Sequence, residues 1–149
     1  MSNNNVKQVI VFRKDLLKGE KSIRKGKFAA QCAHASVSAI LSLFKKEDLY
    51  SSTNEKPIGT SFSLNAFEDS PFYNWINGNY AKICLSVKNE EELVQLYNNI
   101  KETNPNIPIA LIEDLGLTEF NGVPTKTCIG IGPYWNKEID KFTKNLKLL

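Results

Sequence analysis

Val6-Lys-Gln-Val-Ile-Val-Phe12 and, after a short basic connection, Lys25-Gly-Lys-Phe-Ala-Ala-Gln-Cys-Ala-His34 are the stretches from which the fold follows. The first is β-branched or aromatic at most positions, the pattern of a strand covered on both faces. The second opens an apolar period with no Gly or Pro after Gly26, too long for a strand, and predicts a helix over residues 25–46. At about 100° per residue, Ala30, Ala33, Val37, Ile40, Leu41 and Phe44 share one side of that helix, and Phe28, Cys32, Ala35, Ala39 and Leu43 form a second. One narrow polar stripe is left: Lys27, Gln31, His34 and Ser38. A helix apolar almost all round is expected to be buried, so this stripe either faces a strip of solvent or lines a pocket. Lys27, in the first turn, adds its charge to the positive end of the helix, where anions are favoured.

Working outward, Tyr80 to Val87 reads as a strand, Asn89 as the cap of a helix running to about Lys101, and Ile107 to Ile112 as a further strand. Lys126 to Ile131 reads as the last strand, followed by a helix from about Asn136 to Thr143. Between about 47 and 79 the pattern dissolves into Ser, Asn, Gly and Pro, with an aromatic island Phe72-Tyr-Asn-Trp75 behind a Ser70-Pro71 helix start. This is expected to be a long variable excursion with a short helix, a structural cover more than a reactive element. Strands alternating with helices imply an α/β sandwich whose first connections are parallel crossovers, with ligands at the carboxyl ends of the parallel strands. There Lys27 begins the helix after the first strand, Asp114 ends the strand 107–112, and Thr127 begins an antiparallel return at the same edge.

Length and composition fit one compact domain over residues 1–149: the chain is 42% hydrophobic and 23% charged. No stretch approaches a membrane span, and Met1-Ser-Asn-Asn-Asn5 lacks the regions of a signal peptide, so a cytoplasmic location is expected. Cys32, Cys84 and Cys128 are isolated in apolar runs, which indicates neither a disulfide framework nor a metal site. The net charge is a mild +3, but Arg13, Lys14, Lys18, Lys21, Arg24, Lys25 and Lys27 crowd into one segment against Asp15 and Glu20. Such a run is either a solvated loop or a contact for a polyanion such as nucleic acid.

The chemistry has bland and sharp readings side by side. Asp114 after an apolar run is a turn residue or, close to Lys27, an ionised carboxylate that orients or deprotonates a water. Thr118 and Thr127 are strand or turn formers, or hydroxyls for a water or a substrate oxygen. Cys32 and His34, two apart on one helix, point in different directions and form no nucleophile–base pair. A serine elbow, a P-loop lysine motif and a dinucleotide fingerprint are all missing from the sequence. Direct attack by water assisted by polar groups remains, or a binding site without chemistry.

Taken together, Gln8-Val-Ile-Val11 with Arg13 and Asp15, Lys25-Gly-Lys27, Ala29-Ala-Gln-Cys-Ala-His-Ala35, Glu113-Asp114, Gly116, Thr118, Thr127, Gly130-Ile-Gly-Pro133 and Leu146-Lys-Leu-Leu149 resemble the archaeal and eukaryotic class of peptidyl-tRNA hydrolase. The resemblance implies cleavage of the ester between a peptide and the 3′-terminal ribose of tRNA, which recycles tRNA from prematurely released peptidyl-tRNA. It implies no metal or other cofactor, a four-stranded mixed sheet between helix layers, and a homodimer. Its proposed lysine, aspartate and threonine match Lys27, Asp114 and Thr127. Lys18, Lys21, Arg24, Lys25, Gln31, His34 and Thr118 are then expected on the substrate side. The chain departs from the family pattern at Leu115, where Ala is usual, and at Asn121-Gly-Val-Pro-Thr125, where one extra residue leaves Thr125 as an alternative to Thr127. If that residue forms a bulge before the strand, Thr127 is expected to share a face with Ile129 and Ile131. The alternative function is a non-catalytic RNA-binding or protein-interaction module on the same fold, against which the joint presence of Lys27, Asp114 and a threonine speaks.

Overall fold

The computed structural model describes residues 5–20 and 22–149. In chain order the elements are β1 (Val6–Arg13), α1 (Lys25–Leu41), β2 (Lys45–Leu49), β3 (Gly59–Ser63), α2 (Pro71–Ile76), β4 (Lys82–Val87), α3 (Glu90–Thr103), β5 (Ile109–Asp114), β6 (Thr125–Trp135), α4 (Asn136–Thr143) and β7 (Lys147–Leu148). The main sheet is mixed, with strand order β5-β6-β1-β4-β7. β1 lies at its centre, parallel to β4 and antiparallel to β6, which explains the unbroken apolar run from Val9 to Phe12.

Helices cover both faces. Val9 and Val11 of β1, with Ile129 and Ile131 of β6, pack against Leu93 and Ile100 of α3 and Ile139 of α4. Ile10, Phe12 and Cys128 point the other way, against Ala35, Phe28 and Cys32 of α1. Each fully buried aliphatic side chain contributes about 1.5–3 kcal/mol of apolar transfer, so the two clusters fix which sheet face each helix occupies. α1 lies directly on β6: a Cβ at Gly130 would sit 2.1 Å from the Ala35 carbonyl oxygen. Only glycine permits that approach, and the small Ala35 and Ala39 meet it from the helix side.

Four expectations are corrected. The sheet has five strands, because Leu148 and Lys147 pair with Leu85 and Ser86 at the β4 edge. A two-residue strand is too short to leave a period in the sequence. The first helix ends at Leu41, and residues 45–49 turn into a β-hairpin with residues 59–63. Leu43 and Phe44 continue the apolar period with no Gly or Pro to mark the break, so the excursion begins earlier than the composition suggests. Nor is α1 buried all round: Val37 is 53% and Leu41 48% exposed. Finally, Asp114 is the last residue of β5 and pairs with Thr125, whereas the sequence pattern ended that strand two residues earlier.

Within the excursion, Ser70 caps α2 by accepting from the Tyr73 N–H, with Pro71 at the first helical position. Trp75 is fully buried, donates to the Ala81 carbonyl at 2.9 Å and stacks on Tyr80. The Lys82 ammonium lies over the Tyr80 ring at 3.5 Å from its centroid.

Candidate active site

The carboxyl end of β5 and the amino end of α1 meet at one ion pair. Lys27 Nζ donates to Asp114 Oδ2 at 2.5 Å, and the two side chains are only 15% and 12% exposed. The same ammonium donates to Thr118 Oγ1 at 3.2 Å. Asp114 is held from two more sides: Gln31 Nε2 donates to Oδ2 at 3.0 Å, and the Gly116 N–H donates to Oδ1 at 2.8 Å. Burial alone would push the carboxyl pKa up. The bond from Lys27, the Gly116 N–H, the Lys27 charge and the Gln31 amide together outweigh it and hold the group below its ordinary value.

Gly116 serves this site twice. Its φ of +77° suits glycine, and a Cβ would lie 2.6 Å from the Val123 carbonyl oxygen. That conformation aims its N–H back at Asp114. The Asp-x-Gly spacing is the sequence trace of such a turn, and Gly116, like the groove-lining Leu115 and Leu117, is a contributor with no role in the site as read from sequence.

Thr127 is fully buried and donates its hydroxyl hydrogen to Gln31 Oε1 at 2.6 Å. The order is therefore Thr127 to Gln31 to Asp114, with Gln31 itself 2% exposed. Thr127 reaches the groove only through the glutamine. Its direction corrects an expectation: it points to the α1 side, as does Cys128, whose thiol donates to the Gln31 carbonyl at 3.4 Å, whereas Ile129 and Ile131 face α3 and α4. The β5–β6 register shows why. Ile112 pairs with Cys128 but Glu113 pairs with Lys126, so Thr127 is an extra residue in a bulge inside the strand. Bulges break the alternation and re-aim a side chain. Thr125 instead donates to the Val123 carbonyl at 2.9 Å and lines a different hollow with Phe120 and Asn121.

The predicted α1 stripe forms one wall of a groove of about 530 Å³, with Lys27, Gln31, His34 and Ser38 in line; β5 and the loop after it form the other. The basic segment is less uniform than its sequence. Arg13 is spent on Asp15, Glu90 and the Lys126 carbonyl, and Arg24 pairs with Glu119 at 2.9 Å. Lys18 and Lys25 are exposed, and Lys21 lies outside the described residues. The thiols are poor nucleophiles at neutral pH: burial pushes Cys32 up to about 11 and Cys128 to about 12.

Residues 6–149 match the model of one protein family, described as peptidyl-tRNA hydrolase PTH2. A protein of Methanopyrus kandleri named peptidyl-tRNA hydrolase is 36% identical over 143 residues, 96% of this chain and 97% of that one. One of the same name from Sulfolobus acidocaldarius is 36% identical, covering 97% of this chain and all of its own length. A third from Methanococcus maripaludis is 34% identical, with 95% and 97% covered.

Proposed function

The chain belongs to the peptidyl-tRNA hydrolase PTH2 family, and from that premise we infer that it hydrolyses the ester joining a peptide to the 3′-terminal ribose of tRNA. The observation that carries this reading to particular residues is the Lys27–Asp114 pair, held by Gln31 and Thr118 at the mouth of a groove.

Water oriented by Asp114 adds to the ester carbonyl carbon. The depressed pKa keeps the carboxylate ionised and makes it a weak proton sink, so its main contribution is to accept and aim the water's hydrogen bond. The carbonyl oxygen takes up negative charge as the tetrahedral intermediate forms. Lys27 stabilises it: an ammonium has three N–H donors, and the bonds to Asp114 and Thr118 account for two of them. Collapse breaks the bond to the ribose 3′ oxygen, which leaves with a proton derived from the water. The products are a tRNA with a free 3′-hydroxyl and a peptide acid, which ionises to the carboxylate by giving the remaining water proton to solvent. Gln31 and Thr127 act on Asp114 and not on the substrate, which makes them positioning residues.

Lys18 and Lys25, both exposed in the segment that leads into α1, would on this reading meet tRNA phosphates. The reading takes a homodimer as the working assembly. The exposed outer strip of α1, Ala30, Ala33, Val37 and Leu41, supports it by offering an apolar, self-repeating helix face. Among the described residues no helix is long and apolar enough to cross a membrane, and the proposed place of action is the cytoplasm. The test is a single-turnover comparison of N-blocked with free aminoacyl-tRNA: cleavage of the blocked substrate with sparing of the free one is expected, and no turnover of either on intact tRNA would overturn the reading.

A further inference from the structure

β5 is an edge strand: among the described residues its only partner in the sheet is β6, and none of their strands pairs with the backbone N–H and C=O groups on its outer side. The groove runs along that edge. Leu111 packs toward the α3 and α4 face and Ile112 toward the α1 face, yet both line the same groove. Neighbouring residues on opposite faces share one cavity only where the cavity borders the strand's edge. The facing wall, Lys27 to Ser38, spans eleven helical residues or about 16 Å, the length of about five residues in extended form.

We propose that the peptide part of the substrate docks here as an added strand on β5, running from the Lys27–Asp114 pair toward His34 and Ser38. The inference rests on the hydrolase reading: with the ester at Lys27 and Asp114 and the RNA on the Lys18–Lys25 side, the acyl chain leaves along the groove. Main-chain bonding to a strand edge binds peptides of any sequence, while side chains of alternate residues find separate contacts. Leu115 and Leu117, 66% and 85% exposed at the reacting end, offer apolar contact to the last residue. The same geometry disfavours an unblocked aminoacyl ester. Its free α-amino group is not part of an amide and cannot start a strand, so it lacks the main-chain bonding that begins at this point.

The experiment keeps the enzyme unaltered and changes the substrate. One tRNA carries N-acetylalanine or alanine peptides of two to eight residues, and kcat/KM is measured for each. It is expected to rise with length to about five residues and then level off. In the pentapeptidyl substrate, N-methylation at alternate residues should lower kcat/KM about fivefold, and at the intervening residues hardly at all, as expected for single hydrogen bonds of ordinary net strength. Equal efficiency at every length, or an N-methyl effect without the two-residue period, would overturn the strand docking and leave the hydrolase reading standing. Hydrolysis of none of these substrates would overturn both.

Discussion

Thr127 donates to Gln31 Oε1 at 2.6 Å, and this bond decides which way the glutamine amide faces. With Oε1 engaged, Nε2 is turned onto Asp114 at 3.0 Å. Thr127→Val keeps the shape and removes the hydroxyl, so the amide loses its orienting donor. Turnover should fall roughly tenfold, a barrier change of about 1.4 kcal/mol. Thr127→Ser should restore most of it, and Thr125→Val should change little because that hydroxyl bonds only within its own loop. Steady-state kinetics on the three variants checks the order. A larger loss at Thr125 would make that residue, and not Thr127, the threonine on which turnover depends.

The direction of Thr127 is the part of the site least legible in sequence. Lys27, Gln31, His34 and Ser38 are readable as one stripe because a helix has a fixed period, and Asp114 because it closes an apolar run. A bulge is a register event between two strands, and neither strand alone records it. A similar limit applies to the helix faces. Periodicity gives α1 two apolar sides and does not say which meets the sheet. Ala35 and Ala39 do, because Gly130 admits only small side chains, and Val37 and Leu41 are left outside. The α/β class and most elements are legible, while the hairpin β2–β3 and the two-residue β7 are too short or too polar to announce themselves.

Asp114 gives the protein a pH signature. Its folded pKa lies below the ordinary 3.8, so the folded state binds its proton less readily than the unfolded chain does. The resulting stability is fully present above the unfolded value and is lost as pH falls through the folded one. Relative to Asp114→Asn, the wild type should therefore gain stability above about pH 4 and lose that advantage below it. Urea titrations of both proteins from acid to neutral pH measure this. A difference independent of pH would contradict the ion-pair account.

Gly116→Ala should be costly for two reasons. The substitution forces a side chain into φ +77° and sets its Cβ 2.6 Å from the Val123 carbonyl oxygen. A loss of about 1–3 kcal/mol is expected from backbone strain. Any relaxation also moves the N–H off Asp114 Oδ1, so activity should fall in the fraction that remains folded. Denaturant midpoints with single-turnover rates at a stable temperature separate the effects. Unchanged stability would show that the loop accommodates the methyl group.

Charge reversal at Lys18 and Lys25, both exposed, should raise KM more than it lowers kcat if, as proposed, they meet RNA and not the ester. Each lost phosphate contact should reduce the log–log salt slope by about one. Arg24→Glu should matter less, since that guanidinium already pairs with Glu119. A salt-independent KM would mean that the basic segment is only solvated.

On the proposed mechanism the carboxylate of Asp114 takes part in breaking the ester. Asp114→Asn is nearly isosteric, keeps an acceptor oxygen, and removes the charge that Lys27 and Gln31 converge on. The direct measurement is the single-turnover rate on N-acetylaminoacyl-tRNA at saturating enzyme, with folding checked by circular dichroism. The rate should drop at least about a hundredfold while substrate binding stays intact. A well-folded variant that cleaves at the wild-type rate would return Asp114 to a turn residue and rule out its part in the reaction.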